Sequence, residues 1–328
     1  MYGKIRTHEY PDLDAILCIM LLRYFGESKF PGIAQANLEF VAASQGFDQS
    51  DPSNKDTIAV DILGGHFDHH NGGKSTKCSA MLLAEFLEVH KQPNLTKILD
   101  TVNLSDTTGK LSSQKVEANV LLFTLFEMIR GWHVLHNGDH VLTTQKAIDC
   151  LLAMVASEDE WISAVSDAEK AIRIEGIAIK LLAFSSDSKA AMKAGRAAGG
   201  NVVIVEKSNG IVGITVTANQ NWREPDLTLT AALLRYAVTI LDQKAVTENE
   251  LFQSGDFLGW FLHPSLAIVS HGSDKSSVIV RLDLSLAEIA ALTAISLNLT
   301  SKWPERFANC AGNWRRMSQN WRLKGGMR

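Results

Sequence analysis

The chain has 328 residues, of which 46% are hydrophobic, 21% charged and 7% aromatic, and Lys+Arg 32 against Asp+Glu 36 leaves a net charge of −4. This is the composition of a globular protein with two domains or one large one, and it excludes disordered, collagen-like and coiled-coil chains. No apolar run approaches the roughly 18–20 residues of a bilayer span, and the polar start MYGKIRTHEYPDLD has no leader-like apolar core. Cys18, Cys78, Cys150 and Cys310 lie far apart with no C-x-x-C pair. A cytoplasmic protein with reduced thiols and no membrane partner is therefore expected, without a disulfide framework or zinc ribbon.

In chain order, Lys4–His8 reads as a short strand and Asp14–Phe25 as an apolar helix. Leu38–Ala43 and Thr57–Leu63 have the make-up of strands in a buried parallel sheet, and helices follow over about Ser79–His90 and Ala118–Gly131. Such alternation predicts an α/β domain over residues 1–185, with a doubly wound parallel sheet and ligands at the C-terminal strand ends. Thr144–Ala183 reads as helical throughout. The small, polar, glycine-bearing stretch 186–200 reads as a linker to a smaller C-terminal α/β domain, 201–328, which would close over an interdomain cleft. In NVVIVEKSNGIVGITVT, Asn209-Gly210 between β-branched runs predicts a hairpin. A helix over Leu227–Leu241, strands over Ser265–Ser270 and Ser276–Asp283, and a helix opening after Ser285 complete this domain. From Lys302 to Arg328 seven basic residues face one acid, Glu305. Trp303, Trp314 and Trp321 are interleaved with them. The pattern suits single-stranded nucleic acid, but a helix docking its tryptophans on the core is favoured, because exposed tryptophan is costly.

Chemistry-bearing residues concentrate before residue 110. His8 ends the first strand and is followed by Pro11-Asp12-Leu13-Asp14. Asp61 lies near the end of a buried strand, Asp68-His69-His70 follow, and Asp106-Thr-Thr-Gly109 closes the series. Carboxylates crowded at one sheet edge cannot all stay ionised without a compensating cation. Imidazole with carboxylate suits Mn²⁺, Zn²⁺, Fe²⁺ or Co²⁺ better than Mg²⁺ or Ca²⁺ alone. About six ligands suit two ions better than one, an arrangement recurrent in phosphoester hydrolysis.

The ordered set H-x-x-x-D-x-D, D, D-H-H, D-x-x-G over residues 1–110 resembles the DHH phosphoesterase superfamily, which includes RecJ nucleases, nano-RNases, cyclic-dinucleotide phosphodiesterases and manganese pyrophosphatases. IAVDILGGHFDHHNGG followed by KCSAMLLAEFL is most similar to the MYG-type (melanocyte proliferating gene) exonuclease branch. The resemblance implies two divalent ions, Mn²⁺ first with Mg²⁺ or Co²⁺ as substitutes. It implies that His8 and Asp12 hold the first ion, that Asp14, His69 and Asp106 hold the second, and that Asp61 bridges them. It further implies that Asp68 orients its neighbours and that His70 faces the substrate. Asp106 is preferred to Asp100 as the last ligand because D-T-T-G matches the family's turn. Cys18 stands where the family often has Ser or a small residue, and the family's glycine-rich G-G-x-G-H element is missing from the C-terminal half. His271, Lys275 and Arg281 are the nearest replacements for substrate binding, or else form an ordinary polar turn.

Other signals divide between a ligand and a bland reading. Asn71-Gly-Gly-Lys74 reads either as a phosphate-contacting turn, with Lys74 adding charge, or as a plain flexible turn. Asn221-Trp222-Arg223 reads as packing plus a surface charge. His133, His136, Asp139 and His140 read as a solvated loop between helices. The expected function is a two-metal phosphohydrolase acting on a phosphoester, a short single-stranded nucleic acid end or a small nucleotide; a homodimer stays open. A pyrophosphatase or polyphosphatase, or a metal-dependent nucleotide-binding module without turnover, is the alternative.

Overall fold

The computed structural model describes residues 1–69, 76–109, 118–218, 225–272 and 283–323. Two compact units divide between Asp159 and Glu160. The first is built on β1 (Lys4–His8), α1 (Leu13–Phe25), β2 (Asn37–Val41) and β3 (Thr57–Ala59), followed by α2 (Ser79–Phe86), α3 (Pro93–Thr108), α4 (Ala118–Leu121) and α5 (Leu125–Leu135). Helix α6 (His140–Glu169) runs across the division point.

Its sheet is wholly parallel with order β2-β1-β3, Ile5 pairing with both Leu38 and Ile58. The chain thus runs to one side of β1 for β2 and to the other for β3. That reversal opens a crevice at the C-terminal ends of β1 and β3, where open α/β sheets bind ligands. Helix α1 is buried from Leu13 to Leu22, as an all-round apolar helix must be. Its core includes Ile5, Ile58 and Val60 of the sheet and Leu83, Leu95 and Leu99 of α2 and α3.

The second unit carries β4 (Ile172–Glu175), β5 (Lys180–Ser185), α7 (Ala191–Ala197), β6 (Val202–Glu206), β7 (Val212–Val216), α8 (Thr228–Leu241), α9 (Glu248–Phe252), β8 (Gly255–Phe257), β9 (Trp260–Leu262), β10 (Ile268–His271), α10 (Leu286–Ser296) and α11 (Ala311–Leu323). One seven-stranded mixed sheet, β4-β5-β6-β7-β10-β9-β8, joins them, parallel only at β5–β6. Alternation along β6 divides its two faces. Val202 and Ile204 enter a core with α8 and α10, whereas Val203 and Val205 enter another with Ala191 and Ala194 of α7.

Several expectations need correction here. The unit after the division is the longer of the two, not a smaller lobe. The segment read as a linker holds α7, and Lys180–Ser185 is a strand of the second sheet. Helix ends at Glu169, so Ala171–Ala183 is not helical; Ile172–Glu175 is a largely exposed strand and Leu181–Phe184 a continuously buried one. Helix α3 was not expected, although Leu95, Ile98, Leu99 and Val102 form its buried stripe. The hairpin at Asn209-Gly210, the first strand and the helix at 228–241 agree with the sequence reading. Residues 276–282 of the strand expected over 276–283, and the Asn221-Trp222-Arg223 stretch, lie outside the described residues. Among those described, no helix is long and apolar enough to cross a membrane.

The second unit centres on a buried cation. Arg235 on α8 is fully buried and donates to the carbonyls of Leu251 (2.8 Å), Gln253 (2.6 Å), Gly255 (2.6 Å) and Trp260 (2.8 and 3.2 Å). One guanidinium fork thereby donates to four carbonyls of the 251–260 segment. Burial lowers its pKa to about 10, which leaves it charged at neutral pH. Arg235→Met, of similar length, should cost the unit about 3–5 kcal/mol by urea unfolding, because it strands these carbonyls; Arg235→Lys should recover only part. An unchanged midpoint for the Met variant would contradict this role.

Candidate metal centre

The metal-ligand candidates reach the crevice from four separate elements. His8 ends β1. Asp12 caps α1, its Oδ1 accepting from the backbone N–H of Asp14 (2.9 Å) and Ala15 (3.1 Å). Asp14 is buried one position inside that helix. Asp61 follows β3 with φ +50°, an unfavourable left-handed conformation for a non-glycine residue. His69 lies beyond the next turn, and Asp106 stands in the last turn of α3, which Gly109 closes at φ +59°.

These residues form two groups, His8–Asp12–Asp61 and Asp14–His69–Asp106, and within each the ligand atoms lie within 4.8 Å of one another. Either group could hold a metal ion. Asp61 reaches into both, since Oδ2 is 3.3 Å from His8 Nε2 and Oδ1 is 3.2 Å from His69 Nε2. His69 Nδ1 is 3.6 Å from Asp106 Oδ2. His8 Nδ1 donates to the Glu9 carbonyl at 2.8 Å, which turns Nε2 toward the carboxylates.

Backbone and side-chain donors hold the acids in place. The N-terminal N–H groups of α2, at Ser79 and Ala80, each donate to Asp14 at 2.9 Å. Ser79 Oγ donates to Asp61 Oδ1 at 3.2 Å. Asn103, three positions before Asp106, accepts from Cys78 N–H at 2.8 Å and so joins the start of α2 to the helix bearing Asp106. Asp68 accepts from the Gly64 N–H at 2.8 Å. It thereby braces a turn where Gly64 has φ +78° and a Cβ would meet the Phe47 carbonyl oxygen at 2.4 Å.

The titration pattern follows from crowded negative charge. Burial and the Asp61 carboxylate push Asp14 up to about 7. Burial alone would raise Asp61 too, but hydrogen bonds from His69 and His8 hold it well below the carboxylate range. His8 meets an opposing effect of burial, yet its bonds to Asp61 and Glu9 and the charges of Asp61 and Asp12 raise it to about 9. The bond to Asp61 likewise outweighs burial at His69 and raises it to about 9. Protonated imidazoles thus neutralise the acids when no cation does so. Buried carboxylates with neutral-capable imidazoles are a donor set that divalent ions fit, with the proton as their competitor.

Several side chains stand elsewhere than expected. His271 is 2% exposed, its ring 5.2 Å from that of Trp260, so it belongs to the core and offers no ligand-facing imidazole. Asp100 is exposed on α3 and in neither ligand group. His70, Lys74, Lys275 and Arg281 lie outside the described residues. The histidines read as a solvated loop include two that pack on the Asp12 turn. Tyr10 meets the rings of His133 (5.4 Å) and His140 (4.7 Å), and His133 Nε2 lies 3.0 Å from the Pro11 carbonyl. Beside this turn is a cavity of about 270 Å³, lined by Tyr10, Asp12, Leu121, Phe126, Arg130 and His133 among others. Sequence carried no signal for these partners, which are separated by 122 positions.

No protein-family model matches this chain, and no curated protein matches it. Among solved structures, an uncharacterized protein from Helicobacter pylori G27 is similar at 12% identity, covering 91% of this chain and 100% of that one, with a TM-score of 0.21.

Ligation requires deprotonated imidazole, and His8 and His69 keep their protons up to about pH 9 in the metal-free protein. Mn²⁺ binding near pH 7 should therefore release protons, and affinity should rise with pH through about 9. Calorimetric titration in buffers of different ionisation enthalpy measures this. Binding without proton release, or binding that weakens as pH rises, would contradict the assignment. Asp61→Asn should lower Mn²⁺ affinity by on the order of 100-fold or more.

Proposed function

We propose that this chain is a phosphohydrolase of the DHH type that works with two divalent ions, Mn²⁺ first, on phosphodiesters at short nucleic acid ends or in small nucleotides. The observation that carries the reading is the reach of one buried carboxylate, Asp61, into two three-residue ligand groups at the crevice end of a parallel sheet. Two divalent ions held by these residues would supply positive charge to a phosphoester and would make bound water more acidic at neutral pH.

The protein's own contribution is positioning. Asp14 is held by two backbone N–H groups, Asp12 by the start of its helix, and Asp61 by Ser79 and both histidines. Ligands fixed in this way need little reorganisation as charge develops on the phosphate. The Glu9 carbonyl sets the tautomer of His8, leaving Nε2 as the ligating nitrogen. The cavity beside Asp12 gives the leaving portion of a substrate an apolar wall, from Leu121 and Phe126, and a cation, Arg130.

Incubation with Mn²⁺ and, separately, a short single-stranded oligonucleotide, a cyclic dinucleotide and pyrophosphate tests this reading. Turnover of one of the diesters is expected. Asp61→Asn should reduce it by on the order of 10³-fold or more, because it weakens both ligand groups together. Turnover of pyrophosphate alone would replace the diesterase assignment with a pyrophosphatase. Metal loading without turnover of any of them would identify a nucleotide-binding module.

A further inference from the structure

Helix α11 has an apolar face in the core and an accessible polar face that borders a concavity. Trp314, Met317 and Trp321 occupy one stripe and pack into the core, Trp314 stacking on Tyr236 and Phe252 and Trp321 on Phe252. The stripe Arg315, Ser318, Gln319 and Arg322 follows i, i+3, i+4, i+7 spacing and forms one wall of a cavity of about 410 Å³. The facing wall is the segment after α10, with Asn298, Thr300, Ser301 and Trp303. Arg315, Gln319 and Arg322 are exposed, so the face stays open to an incoming ligand. Here it lines a concavity whose size lies within the roughly 300–1,000 Å³ range of small-ligand sites.

The chemistry of the lining selects an anion with an aromatic part. Among the described residues no carboxylate lines the cavity. Among the described residues, neither Arg315 nor Arg322 is in an ion pair, although Arg306 nearby in sequence pairs with Glu288. The two arginines lie about 10 Å apart along the helix axis, with the Ser318 hydroxyl and Gln319 amide between them. Guanidinium is the preferred partner of phosphate because its fork matches two oxygens. Trp303 packs partly against the core and lines the cavity, and among the described residues no other ring stacks on it, in contrast to Trp314 and Trp321. A base can stack on such a ring. The Ser301 hydroxyl, with the remaining capacity of Thr300, which accepts from Lys302 N–H, and of Ser318, which donates to the Arg315 carbonyl, offers the neutral polar contacts a sugar requires.

We propose that this cavity binds a nucleoside monophosphate, its phosphate on Arg315 and Arg322 and its base on Trp303. The site is built wholly within the second unit and does not depend on the metal centre. A free mononucleotide and the 5′-terminal nucleotide of a strand present the same groups.

The test uses the full chain in EDTA, which removes any contribution from divalent ions. AMP, adenosine, inorganic phosphate and a 5′-phosphorylated trinucleotide are each titrated by calorimetry and by tryptophan fluorescence. AMP should bind more tightly than adenosine or phosphate and quench fluorescence. The exposed pair Arg315→Ala with Arg322→Ala should weaken AMP by about tenfold or more at unchanged thermal midpoint. Trp303→Ala should abolish the preference for AMP over phosphate. Equal binding of the trinucleotide assigns the site to strand ends, and exclusion of it assigns the site to the free nucleotide. No AMP binding at millimolar concentration, or binding indifferent to the double arginine change, overturns the proposal. Because EDTA is present throughout, either result is separable from failure of the metal-centre reading.

Discussion

Mutual repulsion among carboxylates brought to one edge of a parallel sheet is the constraint that shapes the first unit. Asp12, Asp14, Asp61 and Asp106 come from three different elements and a connecting turn, and two of them, Asp14 and Asp61, are buried. Such a cluster persists only if positive charge is close by. His8 and His69 supply it when protonated, and the N–H groups at the start of α2 add partial positive charge at Asp14. The left-handed backbone at Asp61 belongs to the same compromise. Residues kept in sparsely populated conformations cluster where a site demands a particular side-chain direction.

Around that edge the supporting bonds form a connected frame. The start of α2 donates to Asp14 and Asp61, Asn103 joins α2 to α3, and α3 carries Asp106. On the other side, His133 and His140 pack on Tyr10, next to the Pro11-Asp12 turn. The ligands are therefore presented by helix termini and strand ends that other elements hold in place. That is the condition under which a site keeps its geometry while charge changes within it. The second unit uses charge differently. Arg235 is buried against carbonyls and serves packing, whereas Arg315 and Arg322 stay accessible along a concave wall.

Legibility in the sequence followed the range of the interactions involved. The strand at Lys4–His8, the hairpin at Asn209-Gly210 and the helix opening after Ser285 are local patterns, and the structure contains each of them. The stripe Leu95, Ile98, Leu99, Val102 was equally local, but the polar residues around it, in PNLTKILDTVNLSDTT, concealed a helix that starts at Pro93. The end of the long helix at Glu169 was concealed in the opposite way. The residues after it are strands of a mixed sheet whose partners, Val202 to Ile204, come later in the chain. His271 looked like a ligand only because its burial against Trp260 depends on the β9–β10 pairing.

By itself the sequence determined which residue types could bind metal and where local backbone geometry would place them, at strand ends and helix starts. That follows because capping, alternation and turn preferences act over a few residues. The resemblance implied this partition of ligands, but only tertiary structure brings His8, Asp12 and Asp61 within reach of one another, and likewise Asp14, His69 and Asp106, with Asp100 in neither group. It also decided that Ser79, Asn103 and His133 hold the ligands in position. These relations arise from parallel pairing and helix packing between segments up to 122 positions apart, where no local preference can reach.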